Sequence, residues 1–548
     1  MTLKRQIMSI NTRLNATKLI HLAQMVVLLV AFGFAAMYLL TAWPRLVYPY
    51  DLDFIEDGIL ITSLRLSQGQ PIFIAPQADF APHVYMPLYA WLGGLLFKLT
   101  APGYGPLRGL SLLATLTTGG LIFWITRRES GHNWPGLACA GLYLGGYRIN
   151  GFWYELARVD SLFVALSLAG LTLGVYGHRS KPGLVGAAMV LALAFLTKQT
   201  AIMVGIGLGL YLVAAVGKRA WLYWLPYGLL TITPVTLLNR FSDGWFLYYT
   251  YHIASINPVE VGRVLNFIGS ELLGVMAGLT LMTIMAAVLT CRQTGLAGLW
   301  RQPWFIWTGL AVVISGLGRA SVGGNLNNRM IAYSLLCLAP ALLMNRSIGY
   351  TKEKPPWRVA IVLLLTLSQF TLGVYNPLRY IPTPAMSASG DRLIDRIAAE
   401  EGEVLVLLHP YYAWLAGKQP SAQIAALWHA RERGTLPLPA DFVERLKSHY
   451  YAAIISDNSL FETEPELQQL LNLYYVPAET LAPDESPPTL TGMVVRPEIV
   501  YRPRQGELFN LCQHLGEDLD NSGHLTAQRQ TIQVSSRHQS LQRGLVVD

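Results

Sequence analysis

Asp51, Asp53, Glu56 and Asp57 fall within the stretch DLDFIEDGIL, four carboxylates in ten positions, directly after an apolar run long enough to cross a bilayer. A carboxylate so placed can remove the proton from an attacking hydroxyl as a general base. Cations near it would stabilise a phosphate leaving with growing negative charge. Candidate cations come later in the chain. RINGFWYELARVDSL holds Arg158, with Glu155 and Asp160 spaced to share one helical face. Lys198 interrupts two apolar runs in FLTKQTAI, a costly position unless it faces a polar cavity or snorkels to the interface. Arg240 opens RFSDGWFLYYTYH, and GRASVGGNLNNRMIAY carries Asn325, Asn328 and Arg329. Its glycines and asparagines suggest a tight turn around something polar. Each cluster also has a plainer reading. Glu56 and Asp57 suit a helix N-terminus electrostatically, Glu155, Arg158 and Asp160 suit a salt-bridge group, and the rings after Arg240 suit an aromatic belt.

The elements that must position these groups are membrane helices. Charged residues make up 14% of the 548-residue chain, against roughly 25% in an ordinary soluble protein. The deficit comes from repeated apolar runs long enough to span about 30 Å of hydrocarbon. We expect eleven spans, at about 19–43, 109–126, 134–147, 161–177, 182–197, 199–217, 220–239, 268–290, 303–318, 330–345 and 357–376. The first follows a basic segment, residues 1–18, and lacks a small-residue cleavage site, so the N-terminus is expected in the cytoplasm. Met86–Leu99 is short and reads as a helix lying on the membrane surface. With that segment not crossing, the inner loops hold 16 Lys and Arg and only two acids, Glu129 and Glu353, as cytoplasmic loops should. The net charge of +8 is accounted for by this asymmetry, and no nucleic-acid partner is expected. Four cysteines, three of them in or beside spans, imply no disulfide framework.

The expected fold is therefore an α-helical polytopic membrane protein with a small C-terminal α/β extracytoplasmic domain. Residues 19–376 form the transmembrane domain, with 44–108 as its first outer loop; 377–502 form the α/β domain; 503–548 form a polar tail read as disordered. VLVLLHP (404–410) and AAIISD (452–457) read as strands, and 389–400, 421–433 and 440–449 as helices around them. An odd number of spans puts this domain outside, on the same face as the polar clusters.

Glu56-Asp57-Gly58 just after the first span, the QGQPIF continuation and the surface helix HVYMPLYAW (83–91) resemble the GT-C superfamily. This group comprises integral-membrane glycosyltransferases that use polyprenyl-phosphate sugars, among them protein O-mannosyltransferases and lipid A aminoarabinose transferases. ELARVDSL and GGNLNN are similar to bacterial members. The resemblance covers about residues 19–376 and implies periplasmic juxtamembrane helices. It also implies transfer of a sugar, with inversion, from a polyprenyl-phosphate donor to a hydroxyl on a glycan, lipid or protein acceptor, at a bacterial inner membrane. A first-loop acid, commonly the Asp of an Asp-Glu pair, is then the base. Its position here is Glu56 with Asp57 second, the order being reversed, and Asp53 is a third candidate. Arg158, Lys198, Arg240, Arg329, Asn325, Asn328, His83 and Tyr85 form the candidate substrate-binding set. Some relatives hold a divalent metal (Mg or Mn) between first- and second-loop acids; Glu155 and Asp160 are the residues that would take that role, and other relatives need no metal.

The rival expectation is a transporter or flippase for a lipid-linked or small polar solute. It calls for inverted repeats and ionisable residues near span centres. No repeat is evident, and the polar groups crowd one face.

Overall fold

Lipid offers no hydrogen bonds to a bare backbone, so apolar runs of this length must satisfy their amides internally as helices. The computed structural model describes residues 2–300, 302–347, 357–457 and 464–504. Each of the eleven expected segments is helical in it. The tail expected beyond residue 504 and most of the expected inner loop 346–358 lie outside the described residues.

The first half of the chain forms α1 (Thr2–Val47), α2 (Phe54–Ser67), α3 (Leu88–Leu99), α4 (Tyr104–Ser130), α5 (Asn133–Gly145), α6 (Val159–Gly177), α7 (Lys181–Thr197), α8 (Ala201–Val216) and α9 (Trp221–Phe241). Helices Ala277–Thr294, Pro303–Ala320, Met330–Leu336, Ala339–Ser347 and Trp357–Leu372 complete the array. Among the described residues, six stretches are long and apolar enough to cross a membrane, or seven if a bent pair is one span. This falls short of eleven for identifiable reasons. α8 and α9 run together as one apolar stretch, α5 has 13 residues, and Val261–Val275 meets Ala277–Thr294 at 89°. Leu29, Phe32, Trp43, Leu210 and Phe241 remain well exposed on the helix surfaces. In water such a belt is a liability, whereas in lipid it is the solvent-facing side.

The α/β segment contains a four-stranded sheet ordered β1-β2-β4-β3, from β1 (Glu403–Val406), β2 (Tyr451–Asp457), β3 (Tyr475–Thr480) and β4 (Pro497–Pro503). β1 and β2 run parallel and the other pairs antiparallel. β1 and β2 lie where expected. β3 is exposed along most of its length and β4 only half-buried, so neither shows the apolar run that marks a strand in sequence. The segment belongs to the same compact unit as the helices, a unit that ends at Pro503. Leu490 and Thr491 both donate backbone N–H groups to Leu52 O, at 3.0 and 2.8 Å, tying the segment to the start of the first loop.

Candidate active site

α2 begins where Asp53 caps it, its side chain accepting from Ile55 N, the usual role of an Asp at that position. The four acids around this turn are all buried, yet their surroundings differ. Glu56 accepts from Arg108 Nε at 2.9 Å and Nη2 at 2.7 Å, from Leu52 N at 2.8 Å and from Ala157 N at 2.7 Å. Both oxygens are fully engaged, and both partners of the pair have no exposure. Arg108 also donates to Arg45 O, Tyr48 O and Tyr50 O, so this pair fastens the end of α1, α2 and α4 together.

Asp57 accepts from Tyr104 Oη at 2.6 Å and from Tyr411 N at 3.0 Å. Burial, and then repulsion from Asp51, push its carboxyl up to about 7. Asp51 faces the α/β segment, accepting from Tyr412 Oη and lying 3.0 Å from His409 Nδ1. The other ring nitrogen of His409 is 3.1 Å from Asp457. Burial opposes charge on this imidazole, but the two carboxylates hold it well above its ordinary range.

Asp53 is placed differently. Its Oδ1 accepts from Ile55 N at 3.1 Å and from Arg158 Nη1 at 2.7 Å. Among the described residues Oδ2 makes no hydrogen bond, and the backbone of Gly492 lies beside it, where a Cβ would fall 2.4 Å away. Burial pushes Asp53 up to about 6 against the pull of Arg158. Arg158 stacks 4.3 Å over Trp153, donates to Tyr85 Oη at 2.8 Å and lies 3.7 Å from Asp160. Asp160 in turn accepts from Lys198 Nζ at 2.7 Å and Asn327 Nδ2 at 3.0 Å, and Lys198 reaches Asn328 Oδ1 at 3.0 Å. A chain of alternating charge thus joins four regions far apart in sequence: the first loop, the start of α6, the end of α7 and the Gly-Asn turn. Lys198 is almost completely buried in this chain, so it does not snorkel.

An apolar path leads to this cluster. One groove of about 360 Å³ is lined by α2, α3, α7 and α9 residues including Trp91, Leu196, Leu238 and Phe241. It shares Ile72, Phe73 and Pro87 with a cavity of about 20 Å³ walled by His83, Tyr85 and Val159. A second groove of about 540 Å³, lined by Met203, Val235 and Tyr251 among others, meets that cavity at Met86.

The remaining candidates are more dispersed. Arg240 is exposed at the end of α9 and has no partner among the described residues. Asn325 is exposed and caps its own turn through Leu326 N. Arg329 is buried 3.4 Å from Glu271, which also pairs with Arg319 at 2.6 Å. Glu155 is fully buried against Arg45 and the Tyr147 hydroxyl, whereas Asp160 belongs to the Lys198 network. A divalent ion needs several free oxygens at once, and here each acid already has its own cation. The Glu155 and Asp160 donor set therefore does not fit a shared metal, and no group of three His, Cys, Asp or Glu suited to one occurs among the described residues.

Sequence reasoning missed Arg45, Arg108, Glu271, Gln423 and His409. Arg45 and Arg108 sit inside or beside apolar runs, and a charge in such a place is itself a signal for a buried partner. Gln423 and His409 carried no such signal.

The sequence profile of the dolichyl-phosphate-mannose-protein mannosyltransferase family matches residues 82–238. ArnT from Cupriavidus metallidurans in the apo state superposes with a TM-score of 0.55 at 13% identity, covering 86% of this chain and 97% of that one. ArnT from the same organism bound to undecaprenyl phosphate superposes with a TM-score of 0.52 at 14% identity, covering 90% and 99%. No curated protein sequence matches. Helical array, first-loop helix and C-terminal sheet segment together define a polytopic membrane protein. Its fold is that of ArnT, and the matching mannosyltransferase profile agrees with the resemblance read from the sequence.

Proposed function

We propose that this chain is an inverting membrane glycosyltransferase that moves a sugar from a polyprenyl-phosphate carrier to an acceptor hydroxyl on the extracytoplasmic side of a bacterial inner membrane. Asp53 is the general base. Its carboxylate takes the acceptor proton; the oxygen attacks the anomeric carbon; the bond from that carbon to the phosphate oxygen breaks, and the polyprenyl phosphate leaves with the electron pair. The observation that carries this reading is the free Oδ2 of Asp53, on a carboxylate joined through Arg158 to Tyr85 at the wall of the small cavity where the apolar grooves meet. The grooves suit an isoprenoid tail, and the polar groups at their inner end suit its headgroup. Arg158 and Lys198 supply positive charge near the leaving phosphate. Arg329 and Arg240 are farther candidates for holding the carrier. Glu56 and Asp57 act structurally, holding the first loop in shape. The dolichyl-phosphate-mannose-protein mannosyltransferase profile and the fold shared with ArnT support glycosyl transfer in general.

The test uses purified protein in nanodiscs with a panel of radiolabelled undecaprenyl-phosphate hexoses and pentoses. Wild type is expected to release undecaprenyl phosphate from at least one of them, and Asp53→Asn to lose that activity while staying folded. Solute uptake into proteoliposomes with no sugar release from any donor would replace this reading with a transporter.

A further inference from the structure

Gly58 ends the Glu56-Asp57-Gly58 run, and His83 packs against it so closely that a Cβ there would fall 2.0 Å from Nε2 and 2.3 Å from Cδ2. The same nitrogen meets Gln423, which belongs to the α/β segment. Gln423 Nε2 donates to Phe54 O at 2.6 Å and to Leu408 O at 2.7 Å. Two carbonyls thereby fix which end of the amide is nitrogen. Oε1 is the end that lies 2.7 Å from His83 Nε2, and an amide oxygen only accepts. The proton therefore sits on His83 Nε2.

Burial pushes this imidazole down to about 3, so the ring is neutral at ordinary pH and Nδ1 keeps its lone pair. Among the described residues nothing donates to Nδ1. The ring walls the cavity of about 20 Å³ together with Tyr85 and Thr62, a space suited to one water-sized group. Tyr85 Oη accepts from Arg158, which leaves the phenolic proton available. Nδ1 and Thr62 Oγ1, whose own proton goes to Gly58 O at 2.7 Å, thus accept and Tyr85 donates around a space for a single group, which suits a hydroxyl that both donates and accepts.

We infer that Gln423 is a positioning residue: it fixes His83 as the Nε2–H tautomer and thereby presents Nδ1, with Tyr85, to one hydroxyl of the bound saccharide. This deepens the transfer reading and rests on it for the nature of the ligand, though the tautomer is measurable without any ligand. The α/β segment is then part of sugar selection, through a residue that touches no sugar itself.

The first measurement is ¹⁵N NMR of full-length, ¹⁵N-histidine-labelled protein in nanodiscs, with the His83→Gln spectrum identifying the His83 signals. Wild type should show a protonated Nε2 and a bare Nδ1 from pH 8 to pH 5. Gln423→Leu should mix the two tautomers, and Gln423→Met, which also lacks the amide oxygen, should do the same. A wild-type ring protonated on Nδ1, or a tautomer unmoved in both variants, overturns the inference. The second measurement compares each transferred donor with its single-deoxy analogues. One deoxy position should lower wild-type kcat/KM by roughly tenfold or more, as loss of a hydrogen bond from a polar pocket does, and the same position should cost His83→Phe little. Equal losses in both enzymes overturn it. If no donor in the panel is transferred, the transfer reading fails, while the NMR result still decides the role of Gln423.

Discussion

Glu56 and Asp53 stand three residues apart on one turn, equally hidden from solvent, and their surroundings make them opposites. Glu56 has Arg108 on both oxygens and two backbone amides besides. Asp53 has all of its partners on one oxygen and a glycine backbone beside the other. Glu155 lies between them: Arg45 and Tyr147 both meet Oε1, Oε2 has no partner, and the Arg45 pair is fully buried. Burial alone therefore does not identify a reactive carboxylate. A saturated buried pair is expensive to break and chemically quiet, while a buried acid with an unoccupied oxygen and a raised pKa can still take a proton.

Five measurements test that contrast. The largest effect is expected from Asp53→Asn, which should lower kcat by about 10²- to 10⁴-fold, the usual contribution of a general base, with little change in melting temperature. Arg108→Ala should do the reverse. It leaves Glu56 buried and unpaired at a cost of about 3–5 kcal/mol, read as a lowered melting temperature or loss of folded protein. If instead Arg108→Ala folded normally and only slowed catalysis, the two acids would have exchanged roles. Gly492→Ala comes next. Gly492 has φ of +74° and no room for a Cβ beside Asp53 Oδ2, so activity should fall sharply, with a stability cost of about 1–2 kcal/mol from left-handed backbone. A fully active Gly492→Ala protein would argue that Oδ2 needs no space.

The smallest effects are those of pH. Catalysis requires ionised Asp53, so kcat/KM should fall as pH drops through about 6; an acid limb near 4 would point to an unperturbed carboxylate elsewhere. Stability should move the opposite way at His409. Its folded pKa is raised above the ordinary 6.5, so the imidazolium between Asp51 and Asp457 contributes fully below about 6.5 and is lost as pH rises through the higher folded value. Proteolysis near residues 404–457 should accordingly become easier in alkaline solution, and His409→Gln should abolish that dependence.

Much of the fold was legible because lipid imposes a simple rule on sequence. Uncharged apolar runs became helices, and β1 and β2 were visible as continuous apolar strings. Span length was less legible, since breaks such as the 89° bend after Val275 depend on packing. At the site, Asp53, Arg158, Asp160 and Lys198 were all chosen from their residue types, and they do converge. Arg240 was chosen in the same way and stands apart, because an exposed cation at a helix end looks identical in sequence to a buried one.

By itself, then, the sequence determined the membrane helices, the polar clusters among them and the resemblance to a known superfamily. Those properties follow from local composition and from the solvent each segment must meet. Only the folded chain sets that Asp53 keeps an oxygen free while Glu56 does not, and that Gln423 and Gly492 of the α/β segment lie against the first loop. The reason is physical: whether a lone pair is occupied depends on partners far along the chain, 369 residues away for Gln423 and Phe54, and no local pattern records them.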